Sequence, residues 1–463
     1  MKLTIILIYF FAIILIGALT SNNIKTSQEF ILGGRKLSPV STALGAGVAD
    51  MSGWIMMALP GAVLLNGFNE IWLPLGLSMG AYLNWKFIAR RIRVNTKKYN
   101  DSVTISTYLS GRFDDQYGTL KILVSFISLI FYFIYIASGL VSLAFLINKY
   151  TNLDYFYCLV LSAIFVLVYV SLGGFAALNK VEVFQGIVML FSLLIVPATI
   201  IINFSIHNIN NGSVIDLYNP TTSPDFITIV SLLSWGLGYF GQPHLLVRFM
   251  AINKSKTLNI SKNICMVWMI LSLIGSFSVG FLGKFIIDDV GNINPETIFL
   301  TLADIVLPDW VSGIILSGVV SAIMSTISAQ LHVTSCSLAE VMPDRVYELV
   351  SKLWMIRIIM ICIVLVSTIQ ACDPKSTIFH LLSIAWAGLG CSFGPTIIFS
   401  LISRKMTKFC AIMGIISGAA SVIIWHYLRV WGVVYNIYEI IPGFIISCCV
   451  ILVTKNFSYK RES

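Results

Sequence analysis

Long apolar runs separated by short polar connections dominate this chain. Thirteen windows of membrane-spanning length stand out, at roughly 4–20, 38–65, 67–88, 122–147, 156–176, 183–203, 226–247, 263–285, 310–334, 353–371, 377–402, 409–428 and 436–454. Crossing ~30 Å of hydrocarbon takes about 20 helical residues. The pattern therefore predicts an all-α polytopic membrane protein with 13 transmembrane helices and no separate soluble domain. The first window reads as a retained helix rather than a cleaved leader, because its apolar run is long and basic residues follow it. Among the connections, Lys86 to Lys121 is basic and holds an amphipathic-looking stretch, STYLSGRF. The segments Asn203–Asp225 and Asp288–Asp309 are polar, and Glu340–Ser351 suits a short helix.

Two windows are interrupted. Window 38–65 contains GAGVADMSGW and then Pro60. Window 226–247 contains SWGLGYFGQP, with Gly236, Gly238, Gly241 and Pro243. Glycine and proline both weaken a helix. The two interruptions lie five windows apart, as expected of a repeated unit with its binding site at the breaks. An odd number of spans per unit requires the second copy to be inverted.

Composition agrees: 57% of the 463 residues are hydrophobic and 11% charged, against about 25% charged in soluble proteins. The formal net charge is +9. With the N-terminus outside and sides alternating, all but five of the 30 basic residues (Lys2, Lys149, Lys284, Lys375 and Arg429) fall on the inner side. That is the positive-inside bias. It places the C-terminus in the cytoplasm and assigns the charge to topology and membrane lipid, not to nucleic acid. Cysteines sit mostly within windows, with no CxxC pair, and the five histidines show no metal-ligand spacing. No hydrolytic triad, GxSxG elbow or phosphate-binding loop is present, so neither an enzyme nor ATP-driven transport is indicated.

Asp50 is the one ionised residue in window 38–65. A carboxylate at that depth costs at least ~2.5 kcal/mol and ordinarily faces a cation, a partner or a wet cavity. Where the helix unwinds, the carbonyls of Val48 and Met51 are free to coordinate a small hard cation, with Ser52 nearby. Asp50 can equally cap the second half-helix. In window 310–334, Ala322, Ser325 and Thr326 share one helical face and can add a carbonyl and two hydroxyls. The same hydroxyls can instead bond back to their own helix. Trp54, Tyr135, Trp235 and Tyr239 crowd the breaks and suit either packing or a small zwitterion, since aromatic faces attract an ammonium. No Arg or Lys lies in the middle of a window, which disfavours a polyanionic cargo. Glu182 and Gln185 open window 183–203, where a glutamate ordinarily meets water or lines an inner cation exit. Arg35, in LGGRKLSP, marks topology.

At these residues the chain resembles the sodium/solute symporter family, most of all its proline-carrying branch. The likeness is carried by LGGRKLSP, ADMSGW with LPGA, NWKFIARRIR, SGRF, IYIASG, SWGLGYFGQPH with RFMA, MSTISAQL, AWAGLG with FGP, and YEIIPGF. It implies a LeuT-type five-plus-five inverted repeat forming one transporter domain: a preceding helix at 4–21, repeats at 38–203 and 225–403, and two further helices at 409–454. It implies Na+ held by the carbonyls of Val48, Met51 and Ala322 and the hydroxyls of Ser325 and Thr326. Asp50, Glu182 and Arg35 would take part in cation coupling; Glu182 stands where relatives carry Asp. Ser52, Trp54, Tyr135, Trp235, Tyr239 and Pro243 match substrate positions. The implied activity is Na+-coupled symport of L-proline, or a similar small zwitterion, across a bacterial inner membrane. Symport of pantothenate, a sugar or a monocarboxylate on the same fold is the alternative.

Overall fold

The computed structural model describes all residues except 22–25, 172, 208–223, 288–292, 374–376, 433, 436 and 463. Lys25, Lys375, most of the polar connection at 203–225 and the first five positions of the one at 288–309 fall outside the described residues. In chain order the α-helices are α1 (Lys2–Ser21), α2 (Ser27–Leu32), α3 (Pro39–Asp50), α4 (Leu59–Asn66), α5 (Trp72–Leu83), α6 (Ala89–Lys98), α7 (Ile105–Arg112), α8 (Thr119–Thr151), α9 (Tyr155–Ser171) and α10 (Phe175–His207). They continue as α11 (Phe226–Ser234), α12 (Pro243–Ala251), α13 (Leu258–Gly283), α14 (Ile298–Val306), α15 (Asp309–Ala339), α16 (Asp344–Leu349), α17 (Lys352–Gln370), α18 (Ile378–Ile402), α19 (Lys408–Val430) and α20 (Ile440–Glu462). Among the described residues, each apolar window overlaps at least one of these helices. STYLSGRF falls largely on α7, and α16 occupies the short segment expected after Glu340. Among the described residues, seven helices are long and apolar enough to cross a membrane, and α3 with the segment after it makes an eighth, bent by 60°.

Local chemistry explains the boundaries. Ser38 accepts the Ser41 amide at 3.1 Å, and Pro39 occupies the first position of α3, where a missing N–H costs nothing. Pro60 cannot donate to Met56, and the chain from Trp54 to Ala58 loosens into a π turn, the Leu59 amide reaching back to Trp54. Asp115 caps α8: its carboxylate accepts the amides of Thr119, Leu120 and Lys121 at 3.1, 2.7 and 3.2 Å, and Lys408 lies 2.5 Å from it. Burial opposes its charge, yet Lys408 and those amides hold the carboxyl below its ordinary range.

The core is formed by α15, packed on α1, α3, α8 and α10, and by α18, packed on α8, α19, α20 and the 3-10 stretch Trp235–Gly241. α5 lies against α11 and that stretch with no side chain between them. A Cβ on Gly80 would sit 2.1 Å from the Gly236 carbonyl oxygen, and one on Gly236 would sit 2.2 Å from that of Gly76. Small residues allow such backbone approach in membranes. Gly80→Val should therefore lower the melting temperature of the detergent-solubilised protein by several degrees; an unchanged melting curve would show that the helices are not in this contact.

Candidate cation and substrate site

The break in α3 is built from one residue. Met51 has φ −84° and ψ 75°, an inverse γ-turn, and the Ser52 amide accordingly bonds Asp50 O at 3.0 Å. In a continuous helix that amide would serve Val48 O. The released Val48 carbonyl instead accepts from Ser325 Oγ at 3.2 Å and Thr326 Oγ1 at 3.5 Å. The same hydroxyls reach Ala322 O at 2.9 and 3.3 Å. One turn on, the Ile55 amide donates to Ser52 O at 3.2 Å rather than to Met51 O. Four of the five expected cation ligands thus converge between α3 and α15, and the Met51 carbonyl lies at the same break. All are hard oxygen donors, the set that fits a small monovalent cation. Both readings of the hydroxyls hold together, for they bond back to Ala322 and cross to Val48.

Asp50 lies two residues beyond Val48 and faces elsewhere. Tyr239 donates to its Oδ2, and its Oδ1 has no hydrogen-bond partner. A small cavity meets it there, bounded by Asn84, Trp85, Tyr239, Phe249 and Met269. The Asp50 carbonyl accepts the Trp54 indole N–H at 3.1 Å, and Ser52 Oγ accepts the Trp54 amide at 3.4 Å. Asp50, Ser52, Trp54 and Tyr239 are therefore one connected group, buried throughout.

The remaining substrate candidates fall into two sets. Tyr135 packs edge-on against His244, ring centres 5.9 Å apart, beside Pro243 at the start of α12. Trp235, a turn before Tyr239, stacks on Tyr438 at 4.8 Å and meets Phe379 at 5.2 Å. Trp386 links the layers: its ring lies edge-on to Tyr239 at 5.2 Å and its indole N–H donates to Trp235 O at 2.8 Å.

At the opposite end, Leu37 and Ile252 pair as an isolated parallel bridge, the Leu37 amide bonding Ala251 O at 3.2 Å and the Asn253 amide bonding Leu37 O at 3.0 Å. Arg35 fastens this end through Met250 O at 2.7 Å, Ser102 O at 2.8 Å and Asp101 at 2.9 Å. Its partners are structural, and none belongs to the oxygen cluster.

One expectation is corrected. Glu182 does not sit at a wet membrane edge. It is fully buried, paired with Arg248 at 2.6 Å and bonded by Asn179 at 3.2 Å. The interior also holds a cationic side chain, since Arg248 is 1% exposed and lies 4.6 Å from the centre of the Phe175 ring. Asn84 and Trp386 were missed as site residues. Asn84 donates to Tyr239 O at 3.1 Å and opens a π turn, Asn84–Ile88; its signal was a single amide inside an apolar run.

A multi-pass helical protein with two broken helices and an oxygen cluster at the first break has the form of a secondary transporter. The model of the sodium:solute symporter family matches residues 30–418, and the chain belongs to that family. It is 39% identical to the sodium/proline symporter of Escherichia coli (strain K12), over 96% of this chain and 91% of the relative. It is 38% identical to the high-affinity proline transporter PutP of Bacillus subtilis (strain 168), over 94% and 93%. Among solved structures, a Na+-coupled sialic acid symporter in a substrate-bound outward-open state superposes with a TM-score of 0.79 at 15% identity, covering 98% of both chains. MhsT in complex with L-phenylalanine superposes with a TM-score of 0.54 at 13% identity, over 90% of this chain and 98% of that one. These two likenesses bear on the fold, which is of the LeuT-like class.

Proposed function

We propose that this protein is a sodium-driven symporter that carries L-proline into the cell across a bacterial cytoplasmic membrane. The single observation that carries the reading is the Val48 carbonyl, freed from its own helix and met by the hydroxyls of Ser325 and Thr326. Sodium is held there by the carbonyls of Val48, Met51 and Ala322 and by those two hydroxyls. Asp50 supplies the negative charge beside it. Proline is enclosed by Ser52, Trp54, Tyr135, Tyr239 and Pro243, with Trp235 covering it from the outer side. The alternative cargoes lack support from the full-length relatives, whose names specify proline.

The proposed architecture is 13 spans in one transporter domain, with the N-terminus outside and the C-terminus in the cytoplasm. One helix precedes two inverted five-helix repeats, at 38–203 and 225–403, and two helices follow. The cargo enters and leaves through alternate opening of the two faces. Sodium favours the substrate-binding state through its differential affinity for that state. The membrane potential adds ~2.3 kcal/mol per charge per 100 mV.

In proteoliposomes, labelled proline should accumulate under an inward sodium gradient and not under choline. Accumulation equal in both, or better competition by pantothenate than by proline, overturns the proposal. Ser325→Ala with Thr326→Ala removes two of five oxygens and should raise the sodium concentration for half-maximal uptake at least tenfold. An unchanged sodium constant would remove these hydroxyls from the site.

A further inference from the structure

At the end of the molecule where Leu37 meets Ile252, the last turns of α6 and the connection from α12 to α13 enclose a groove of about 740 Å³. Arg93, Lys97, Lys98, Lys254 and Lys256 line it, and no acidic residue does. Among the described residues, none of these four lysines forms an ion pair. Arg93 is buried in the wall, where its Nε donates to Ile252 O at 2.8 Å and its NH2 reaches Asn253 O at 3.5 Å. Both sides of the groove are thereby fixed. So many like charges held around one concavity repel one another unless an anion lies among them.

Exposed apolar side chains alternate with exposed polar ones, Arg90 and Arg91 among them, along the surface next to the groove. Phe87 and Val94 are exposed beside α6, and Ile260 and Val267 on α13. Tyr82 joins the two sides, because the ammonium groups of Lys86 and Lys262 lie over its ring at 5.6 and 5.1 Å. A cationic head with exposed apolar side chains beside it matches an amphiphile of opposite charge. A free inorganic anion would use only the head, and an acidic peptide would leave those side chains in contact with nothing.

We propose that this groove is a docking site for an anionic phospholipid of the inner leaflet, its headgroup phosphate among the four lysines and its acyl chains along Tyr82, Phe87 and Val94. Basic pockets between spans on the cytoplasmic side are a recurrent form of lipid recognition. The lipid bridges α6 to the α12–α13 connection, the same connection whose Ile252 pairs with Leu37. It thus braces that inner end.

The test is native mass spectrometry of the full chain in detergent, given equal amounts of phosphatidylethanolamine, phosphatidylglycerol and cardiolipin. The native sequence should retain phosphatidylglycerol or cardiolipin selectively. Lys97→Gln, Lys254→Gln and Lys256→Gln together should lower that retention at least fivefold with an unchanged melting temperature, and the matching Lys→Arg set should restore it. Equal retention in the Gln set overturns the site. Inorganic phosphate that strips the lipid and binds in its place also overturns it, and makes the groove a site for small anions. This readout does not involve the cargo, so it stands apart from the transport assay.

Discussion

Asp50→Asn should abolish sodium-driven uptake while leaving the protein inserted and folded. Asparagine keeps the size and the oxygen that accepts the Tyr239 hydroxyl, so the change isolates the charge. Asp50 faces away from the oxygen cluster and acts on the ion through space: at an effective dielectric of about 20, a unit charge within roughly 5–8 Å of a monovalent cation contributes ~2–3 kcal/mol. That is on the order of a hundredfold in sodium affinity. The carboxylate is buried, so little of this is screened by salt. Sodium titration of proline uptake in proteoliposomes measures it, with melting temperature as the control for folding. A variant with the native sodium constant would separate Asp50 from the ion.

The second large effect concerns stability. Glu182→Gln or Arg248→Met each leaves one charge uncompensated in the interior, and such changes cost about 3–5 kcal/mol. Arg248 also loses its place over the Phe175 ring. Replacing both residues together, with Leu and Met, removes both buried charges and should recover most of the loss. The order expected in thermal unfolding is native near the double variant, with both singles well below. Single variants as stable as the native protein would mean that the pair is not formed. If Glu182 instead served cation exit, its single variant would alter sodium release without a stability penalty that Arg248→Met relieves.

The breaks in the helices were legible because they are local. Gly45, Gly47, Gly53 and Pro60 announce a weak helix wherever they occur, and the loss of the Pro60 N–H is written in the residue itself. The spacing of Ala322, Ser325 and Thr326 put three oxygens on one face and made them candidates to complete a shell begun at the first break, with bonding back to their own helix as the alternative until the family resemblance was weighed. The Glu182–Arg248 pair was not legible. Its members are 66 positions apart, each stands near the end of its window, and an end read alone is assigned to water. Burial there depends on how α10 and α12 meet, which no periodicity reports. Asn84 was missed for the opposite reason: one amide in an apolar run has many uses, and only the π turn aims it at Tyr239.

Where Gly76 and Gly80 of α5 meet Leu233 and Gly236, backbone lies on backbone, and no side chain at that contact can change rotamer to let the pieces separate. In the proposed alternating opening, α5 is expected to travel with the second broken helix. The bending falls on segments with slack, such as the single turned residue at Met51.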